Sequence, residues 1–191
     1  MRPVCAILLA ICCAHVEAAS PVTLVLNFDA GYSAKSVDAM KREVASIVSE
    51  SGMTVDWRLL GDVGPAETFE NLFVVRFRGA CLMQPAPYSM DERGYYAFTH
   101  ISDGDVLPFS EVECGKISNS IRPAMSKRQW RERDSILGRA LGRVLAHELF
   151  HMLAKTEHHA EQGVTRSALS PAQLIADKLA MSPADLKSLK K

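Results

Sequence analysis

Hydrophobic and polar positions follow two different periodicities in the first part of the chain. The apolar and β-branched run PVTLVLNFDA, residues 21–30, predicts a strand. From residue 33 to residue 51 apolar side chains recur at intervals of three and four, which predicts an amphipathic helix that ends at Gly52. Apolar and polar side chains alternate in residues 53–60, and residues 72–80 are also rich in strand formers. The chain is therefore predicted to begin as β-α-β-β.

The middle of the chain is interrupted repeatedly by proline and glycine. Between residues 81 and 123 these residues leave no room for a long element. One strand is predicted near residues 95–101, and two shorter extended pieces are predicted near residues 106–109 and 117–121. This region is therefore expected to supply only short elements.

A long stretch of helical periodicity follows. Apolar residues from Ile136 to Leu149 recur at helical spacing, and Ser126 is a suitable N-cap, so a helix is predicted over residues 127–155. Two short helices are predicted after Ser170 and Ser182, because each serine precedes a proline. Together these elements predict an α+β domain with a small mixed β-sheet, one backing helix and a long helix.

Composition and charge narrow the classes of function. The chain has 191 residues, of which 48% are hydrophobic, and this size and composition suit one globular domain. Lysine plus arginine and aspartate plus glutamate both number 22. Because there is no excess of positive charge to attract phosphate groups, we expect no nucleic acid partner.

The amino terminus has the layout of a secretory signal. Arg2 precedes an apolar run over residues 4–14, and small residues follow around Ala18, so residues 1–18 are predicted to be a cleaved signal peptide. Residues 19–191 would then form a single domain. The apolar run is too short for a permanent membrane helix, and no later stretch reaches the roughly 20 apolar residues that a span requires. The sequence therefore predicts a secreted or periplasmic protein with no integral membrane segment after signal removal.

Removal of the signal would leave only Cys81 and Cys114. In an oxidising compartment this pair is predicted to form one disulfide, and two unpaired thiols are the alternative. The pair lacks the C-x-x-C spacing of a zinc framework, so these cysteines are not expected to hold a metal.

The predicted long helix contains the sequence His147-Glu148-Leu149-Phe150-His151. Helical positions four apart differ by about 40° in direction and about 6 Å in height, so both imidazoles can face one metal ion. Neutral imidazoles suit Zn²⁺, and a catalytic zinc normally takes three protein ligands and keeps one position for water. Glu148 points differently from the two histidines but can reach that water, which makes it the candidate general base.

The HExxH motif resembles that of the zincin metallopeptidases, and specifically their metzincin-like branch. In that branch a glycine turn and a third ligand follow the motif. This chain matches at His147, Glu148 and His151, but it has Ala154 at the turn glycine and Glu157 at the third ligand. The resemblance implies a zincin-like fold, a bound Zn²⁺ and hydrolysis of a peptide bond in a peptide or protein substrate.

The third metal ligand has several candidates. Without a glycine at position 154, the helix is predicted to continue toward Thr156 before it turns, so the ligand should come later as well. His159 is preferred because it has one more residue of reach than His158, which is the alternative. Glu157 and Glu161 also remain candidates, since carboxylates bind zinc.

Other functional assignments stay open at this point. Tyr95, Tyr96 and His100 lie near a predicted strand and are candidates to stabilise an oxyanion, although packing or surface roles are favoured for them. Two further functions compete with the peptidase: a secreted zinc-binding module without activity, and a metal-free interaction protein. The sequence does not define the substrate or the oligomeric state.

Overall fold

The structure, a computed structural model, describes residues 21–83 and 94–189. The predicted signal peptide, residues 1–18, lies outside the described residues. The described residues form a five-stranded sheet whose strands are β1 (Val22–Phe28), β2 (Val55–Leu59), β3 (Leu72–Arg78), β4 (Ala97–Ser102) and β5 (Asp105–Glu113). The predicted mixed sheet is therefore confirmed.

The sheet is mostly parallel. Its strand order is β2-β1-β3-β5-β4, and only β4 runs antiparallel to its neighbour, β5. In β1 the consecutive residues Leu24, Val25 and Leu26 are all buried, as expected for a parallel strand that is covered on both faces. The strand β4 lies at one edge of the sheet, which leaves its outer backbone groups without a partner strand among the described residues.

A tight hairpin joins β4 to β5. Asp103 and Gly104 form its two-residue turn, and both have positive φ angles. An Asp-Gly pair favours such a turn because both positions adopt the left-handed conformation at low cost. Separate extended pieces were predicted near residues 95–101 and 106–109, although the Asp103-Gly104 pair between them indicates a hairpin.

The helices of the described residues pack around the sheet and against one another. None of them is both long and apolar enough to cross a lipid bilayer. The predicted helix over residues 33–51 is confirmed as a helix with a short 3₁₀ turn after it, ending at Gly52. The helices are α1 (Ala34–Val48), α2 (Cys114–Ile121), α3 (Lys127–Arg131), α4 (Arg133–Ala154), α5 (Pro171–Ile175) and α6 (Pro183–Ser188).

Two predictions about these helices were wrong. Residues 117–121 are helical and not extended, because Ile117 and Ile121, four apart, are both fully buried on one face of α2. The single helix over residues 127–155 is instead α3 followed by α4, with a break at Glu132. The charged segment around Glu132 has no continuous apolar face, so packing does not hold it in one straight helix.

The close contact of α1 and α4 depends on two glycines of α4. A Cβ atom added at Gly138 would lie 2.2 Å from the carbonyl oxygen of Ser36, and one at Gly142 would lie 2.7 Å from the Cβ of Glu43. Because these glycines are four residues apart, they line one face of α4. The two backbones can therefore approach each other closely along this face.

The predicted disulfide between Cys81 and Cys114 is confirmed. Cys81 follows β3 and Cys114 begins α2 directly after β5, and both are fully buried. The bond links the ends of two adjacent parallel strands and closes a loop that contains the β4–β5 hairpin. By the chain-entropy model, a loop of this length contributes about 3 to 4 kcal/mol to stability.

Candidate metal centre

Three histidines meet near the carboxyl end of α4. His147 and His151 lie four residues apart on this helix, and His159 follows in the next loop. The Nε2 atoms of His147 and His151 are 2.9 Å apart, and the potential ligand atoms of all three histidines lie within 4.8 Å of one another. The structure therefore brings together the two motif histidines and the preferred third candidate. The alternative, His158, is exposed and does not belong to this group.

Backbone carbonyls orient the two helical imidazoles. The Nδ1 of His147 is 2.9 Å from the oxygen of Val164, and the Nδ1 of His151 is 2.7 Å from the oxygen of Thr156. Since a carbonyl oxygen only accepts hydrogen bonds, each Nδ1 carries the proton and donates it. In the neutral imidazoles both Nε2 atoms then present lone pairs to each other, an arrangement that suits a shared cation and not a direct hydrogen bond.

Burial keeps these imidazoles neutral. It lowers the pKa of His147 to about 4, against the effect of the hydrogen bond to Val164. Burial also lowers the pKa of His151. Because metal ions bind the unprotonated form of histidine, both side chains are ready to coordinate at neutral pH without first losing a proton.

The turn after α4 differs from the prediction. The helix ends at Ala154 and does not continue toward Thr156, because Lys155 adopts the left-handed conformation with φ 50° and ψ 49°. Glycine usually occupies such a position, and another residue costs about 1 to 2 kcal/mol there. The ammonium group of Lys155 donates a hydrogen bond to the carbonyl of Val106, which ties the strained residue to the sheet. This early turn directs the chain back so that His159 reaches the other two histidines.

The segment that follows His159 is anchored by buried polar contacts. The amide of Ala160 donates to the carbonyl of Thr165, and the amide of Val164 donates to the carbonyl of Ala180. The buried hydroxyl of Thr165 also contacts the carboxyl group of Asp185 in α6. These bonds hold the carbonyl of Val164 where it meets His147, so the carboxyl-terminal segment helps to orient a motif histidine.

Glu148 is buried beside the histidines and contacts the edge strand. Its side chain is only 5% exposed, and its Oε2 lies 2.8 Å from the hydroxyl of Thr99 in β4. The hydroxyl of Thr99 is in turn 2.7 Å from that of Ser110 in β5. Burial raises the pKa of Glu148 to about 7, although the hydrogen bond from Thr99 lowers it. A carboxyl group with a pKa near neutrality can take up and release a proton under physiological conditions.

Sequence reasoning did not identify Thr99 as part of this site. Its neighbourhood was predicted to be a strand, but nothing in the local pattern indicates that this strand packs beside Glu148. The contact joins residues 49 positions apart. Only the pairing of β4 with β5, and of the sheet with α4, brings them together.

The three histidines, Glu148 and Thr99 line one open cleft with a volume of about 840 Å³. This volume lies within the usual range for ligand sites. The cleft is lined by β4 and the residues before it, by α4 and by the segment at residues 166–169. Two of the oxyanion candidates also line it. Tyr95 is 78% exposed, and the hydroxyl of Tyr96 is engaged by Ser120 of α2.

The third oxyanion candidate, His100, is not among the residues that line the cleft. Its ring packs between those of Phe98 and Phe109, and its Nε2 lies 3.6 Å from the carboxylate of Glu111. These contacts explain His100 as a packing residue of the sheet.

Comparison of the chain with protein-family models, with curated proteins and with solved structures finds no match. The function of this cleft must therefore be argued from its own geometry. That geometry combines three converging imidazoles, a buried carboxyl group with a pKa near 7, and an open cleft beside a sheet edge.

Proposed function

We propose that this protein is an exported zinc metallopeptidase with a zincin-like domain, which hydrolyses a peptide bond in a peptide or protein substrate. The observation that carries the proposal is the pair of imidazoles on α4 whose Nδ1 atoms donate to carbonyls while their Nε2 atoms face each other. The proposed export rests on the signal layout of residues 1–18, and the buried disulfide is compatible with an oxidising compartment.

The donor set suits zinc. Imidazole nitrogens bind Zn²⁺ at about 2.0 to 2.1 Å, and three such ligands in a tetrahedral arrangement lie about 3.3 Å apart. Here the Nε2 atoms of His147 and His151 are 2.9 Å apart and all three ligand atoms lie within 4.8 Å of one another, so small side-chain adjustments suffice. Three protein ligands in an open cleft also leave one coordination position for a water or a substrate, which is typical of catalytic zinc sites and not of structural ones.

The buried carboxyl group of Glu148 favours a catalytic zinc site over a zinc-binding module without activity. Zinc bound by the three histidines would supply Lewis-acid chemistry, by activating a water molecule and polarising a substrate carbonyl. In this proposal Glu148 accepts the proton from the attacking water and later delivers it to the leaving amine. Thr99 holds the carboxylate through its hydrogen bond to Oε2.

The sheet edge beside the cleft supports a peptide substrate. Extended peptides bind exposed edges by adding a strand, since main-chain hydrogen bonds are available there. The strand β4 pairs only with β5 among the described residues, and its residues Phe98, Thr99 and Ile101 line the cleft. A peptide along β4 would pass beside Glu148 and the histidines.

The first test is the metal content of the purified protein, measured by mass spectrometry after reconstitution with zinc. We expect about one zinc per chain, and loss of this zinc in His151→Ala and in His159→Ala. His158→Ala is a matched control, because His158 is the exposed neighbour of His159 and lies outside the group of three. A chain that binds no zinc would be a metal-free interaction protein, and the proposal would then be wrong.

The second test compares peptide cleavage by the zinc-loaded protein with that by Glu148→Gln. Loss of general base catalysis should lower the rate by a factor on the order of 100 to 10,000, while the zinc content stays the same. Zinc binding without cleavage of any peptide in a broad library would instead support the secreted zinc-binding module.

A further inference from the structure

Arg166 lines the same cleft as β4 and the three histidines. It is half-buried, and its backbone pairs with that of Ala160, the residue directly after His159. The preceding residue, Thr165, is fully buried and contacts Asp185. The guanidinium group therefore extends from a firmly held backbone close to the proposed metal centre.

Arg166 is half-buried in the cleft and has no counter-charge among the described residues. No ion pair or hydrogen bond of its side chain is found among the described residues, although Glu157 lines the same cleft. Carboxylates pair with five other arginines, namely Arg58, Arg76, Arg78, Arg139 and Arg143. An unpaired guanidinium that is half-buried in a cleft is available to an anionic ligand.

We propose that Arg166 binds a carboxylate of the peptide substrate beside the scissile bond and so makes the enzyme selective for peptides that present a carboxylate at that position. The proposal rests on the proposed peptidase function. A guanidinium donates two parallel hydrogen bonds to a carboxylate, which gives both orientation and affinity. The partly enclosed cleft strengthens this contact relative to an exposed surface pair, because less water screens it.

The carboxylate has two possible sources in a peptide. One is the side chain of an aspartate or glutamate near the cleavage site, and the other is the free carboxyl terminus. Both present the same planar group to Arg166. In the first case the enzyme cleaves within acidic sequences, and in the second it removes residues from the end of a chain.

The test measures peptide binding by the zinc-loaded Glu148→Gln protein, so that turnover does not interfere. The probes are fluorescently labelled peptides that carry one glutamate at successive positions of a neutral sequence with blocked ends, each with a glutamine twin. A second set has one neutral sequence with either a free or an amidated carboxyl terminus. Affinities are determined by fluorescence anisotropy.

We expect the protein to bind the glutamate twin at one position, or the free carboxyl terminus, about tenfold more tightly than its neutral counterpart. The additional substitution Arg166→Gln should abolish this preference, and Arg166→Glu should reverse it in favour of the neutral counterpart. Arg128→Gln is the matched control, because Arg128 is exposed on α3 and does not line the cleft. It should leave the preference unchanged.

Which probe set shows the preference identifies the source of the carboxylate. Equal affinities for all twins and for both termini would overturn the inference, as would a preference that survives Arg166→Gln. Failure of the proposed function has a different signature. A protein without bound zinc fails the metal test first, whereas a zinc protein that cleaves peptides without regard to carboxylates refutes only the role of Arg166.

Discussion

The two halves of α4 treat buried charge in opposite ways. In the first half the fully buried Arg143 donates from Nε to the carboxylate of Glu43 in α1 at 2.7 Å, and from its terminal nitrogen to the carbonyl of Gln173 in α5. In the second half the buried carboxyl group of Glu148 contacts the hydroxyl of Thr99 and no cation among the described residues. One helix thus carries a buried charge with an oppositely charged partner in its first half and a buried carboxyl group without such a partner in its second half.

This difference in pairing distinguishes a buried charge that stabilises helix packing from a buried group whose pKa suits proton transfer. Burial lowers the pKa of Arg143, but Glu43 opposes this effect, so the pair serves to join three helices. No opposite charge offsets burial at Glu148, and its pKa therefore rises to about 7. Strong pKa shifts of this kind, in groups that lie in a cleft, are typical of functional sites.

The largest expected effect is on stability and concerns the first half of α4, which packs against α1. Gly138→Ala places a Cβ atom 2.2 Å from the carbonyl oxygen of Ser36, so the backbones of α1 and α4 must separate. We expect a loss of about 3 kcal/mol or more in the free energy of unfolding, measured by urea denaturation. Gly115→Ala is the matched control, because its Cβ would meet open space within α2. Equal stability of the two variants would contradict the close packing of α1 and α4.

The next effect concerns the pH dependence of the free energy of unfolding that Glu148 causes in the second half of α4, measured on protein freed of metal with a chelator. The pKa of Glu148 in the folded state, about 7, lies above its ordinary value of 4.5. Its contribution to stability is therefore fully present below pH 4.5 and is lost as the pH rises through 7. The difference between these two pKa values corresponds to about 3 kcal/mol in the free energy of unfolding.

Glu148→Gln should remove this decline in stability between about pH 4.5 and pH 7. His147 acts in the opposite direction in both proteins, since its pKa in the folded state is lowered to about 4 and its effect increases stability as the pH rises toward 6.5. The difference between the two proteins isolates the carboxyl group. Parallel curves of unfolding free energy against pH would show that Glu148 has an ordinary pKa.

A smaller effect is expected for the edge strand. Thr99→Val removes the hydroxyl that holds Oε2 of Glu148, and we expect about a tenfold loss in kcat with unchanged zinc content. Thr99→Ser keeps the hydroxyl and should retain most of the activity. If Thr99→Ser loses as much activity as Thr99→Val, the hydrogen bond to Glu148 does not account for the contribution of Thr99.

The smallest effect concerns the end of α4. Lys155→Gly relieves the left-handed strain but loses the bond to Val106, whereas Lys155→Ala loses the bond and keeps the strain. We therefore expect the glycine variant to be about 1 kcal/mol more stable than the alanine variant. Thermal unfolding of the two variants tests this difference. An alanine variant of equal stability would indicate that the helix end relaxes once the lysine is removed.

Some features of the protein could be predicted from the sequence because they depend on short-range spacing or on simple counting. The spacing of His147, Glu148 and His151 depends only on helix periodicity, and the structure brings both histidines to one face of α4. The sequence also indicated Cys81 and Cys114 as a pair, since they were the only cysteines left after the predicted signal.

Other features depended on contacts that local patterns do not encode. His159 was preferred to His158 for its reach, under the assumption that α4 continued toward Thr156. In the structure α4 ends earlier, at Ala154. His159 reaches the other two histidines because Lys155 adopts the left-handed conformation and its ammonium group donates a hydrogen bond to the carbonyl of Val106. The break at Glu132 and the helical form of residues 117–121 were likewise decided by packing.

By itself, the sequence determined the periodic elements, the HExxH spacing and the cysteine pair, because each depends on short-range geometry or on simple counting. The tertiary structure alone decided that Thr99 meets Glu148, that Val164 orients His147 and that Arg166 faces the cleft without a counter-charge. These contacts join segments that are distant in the sequence. Burial and hydrogen bonding in the folded protein determine the pKa values of the groups involved. A carboxyl group acquires a pKa near 7 only after the chain has removed it from water.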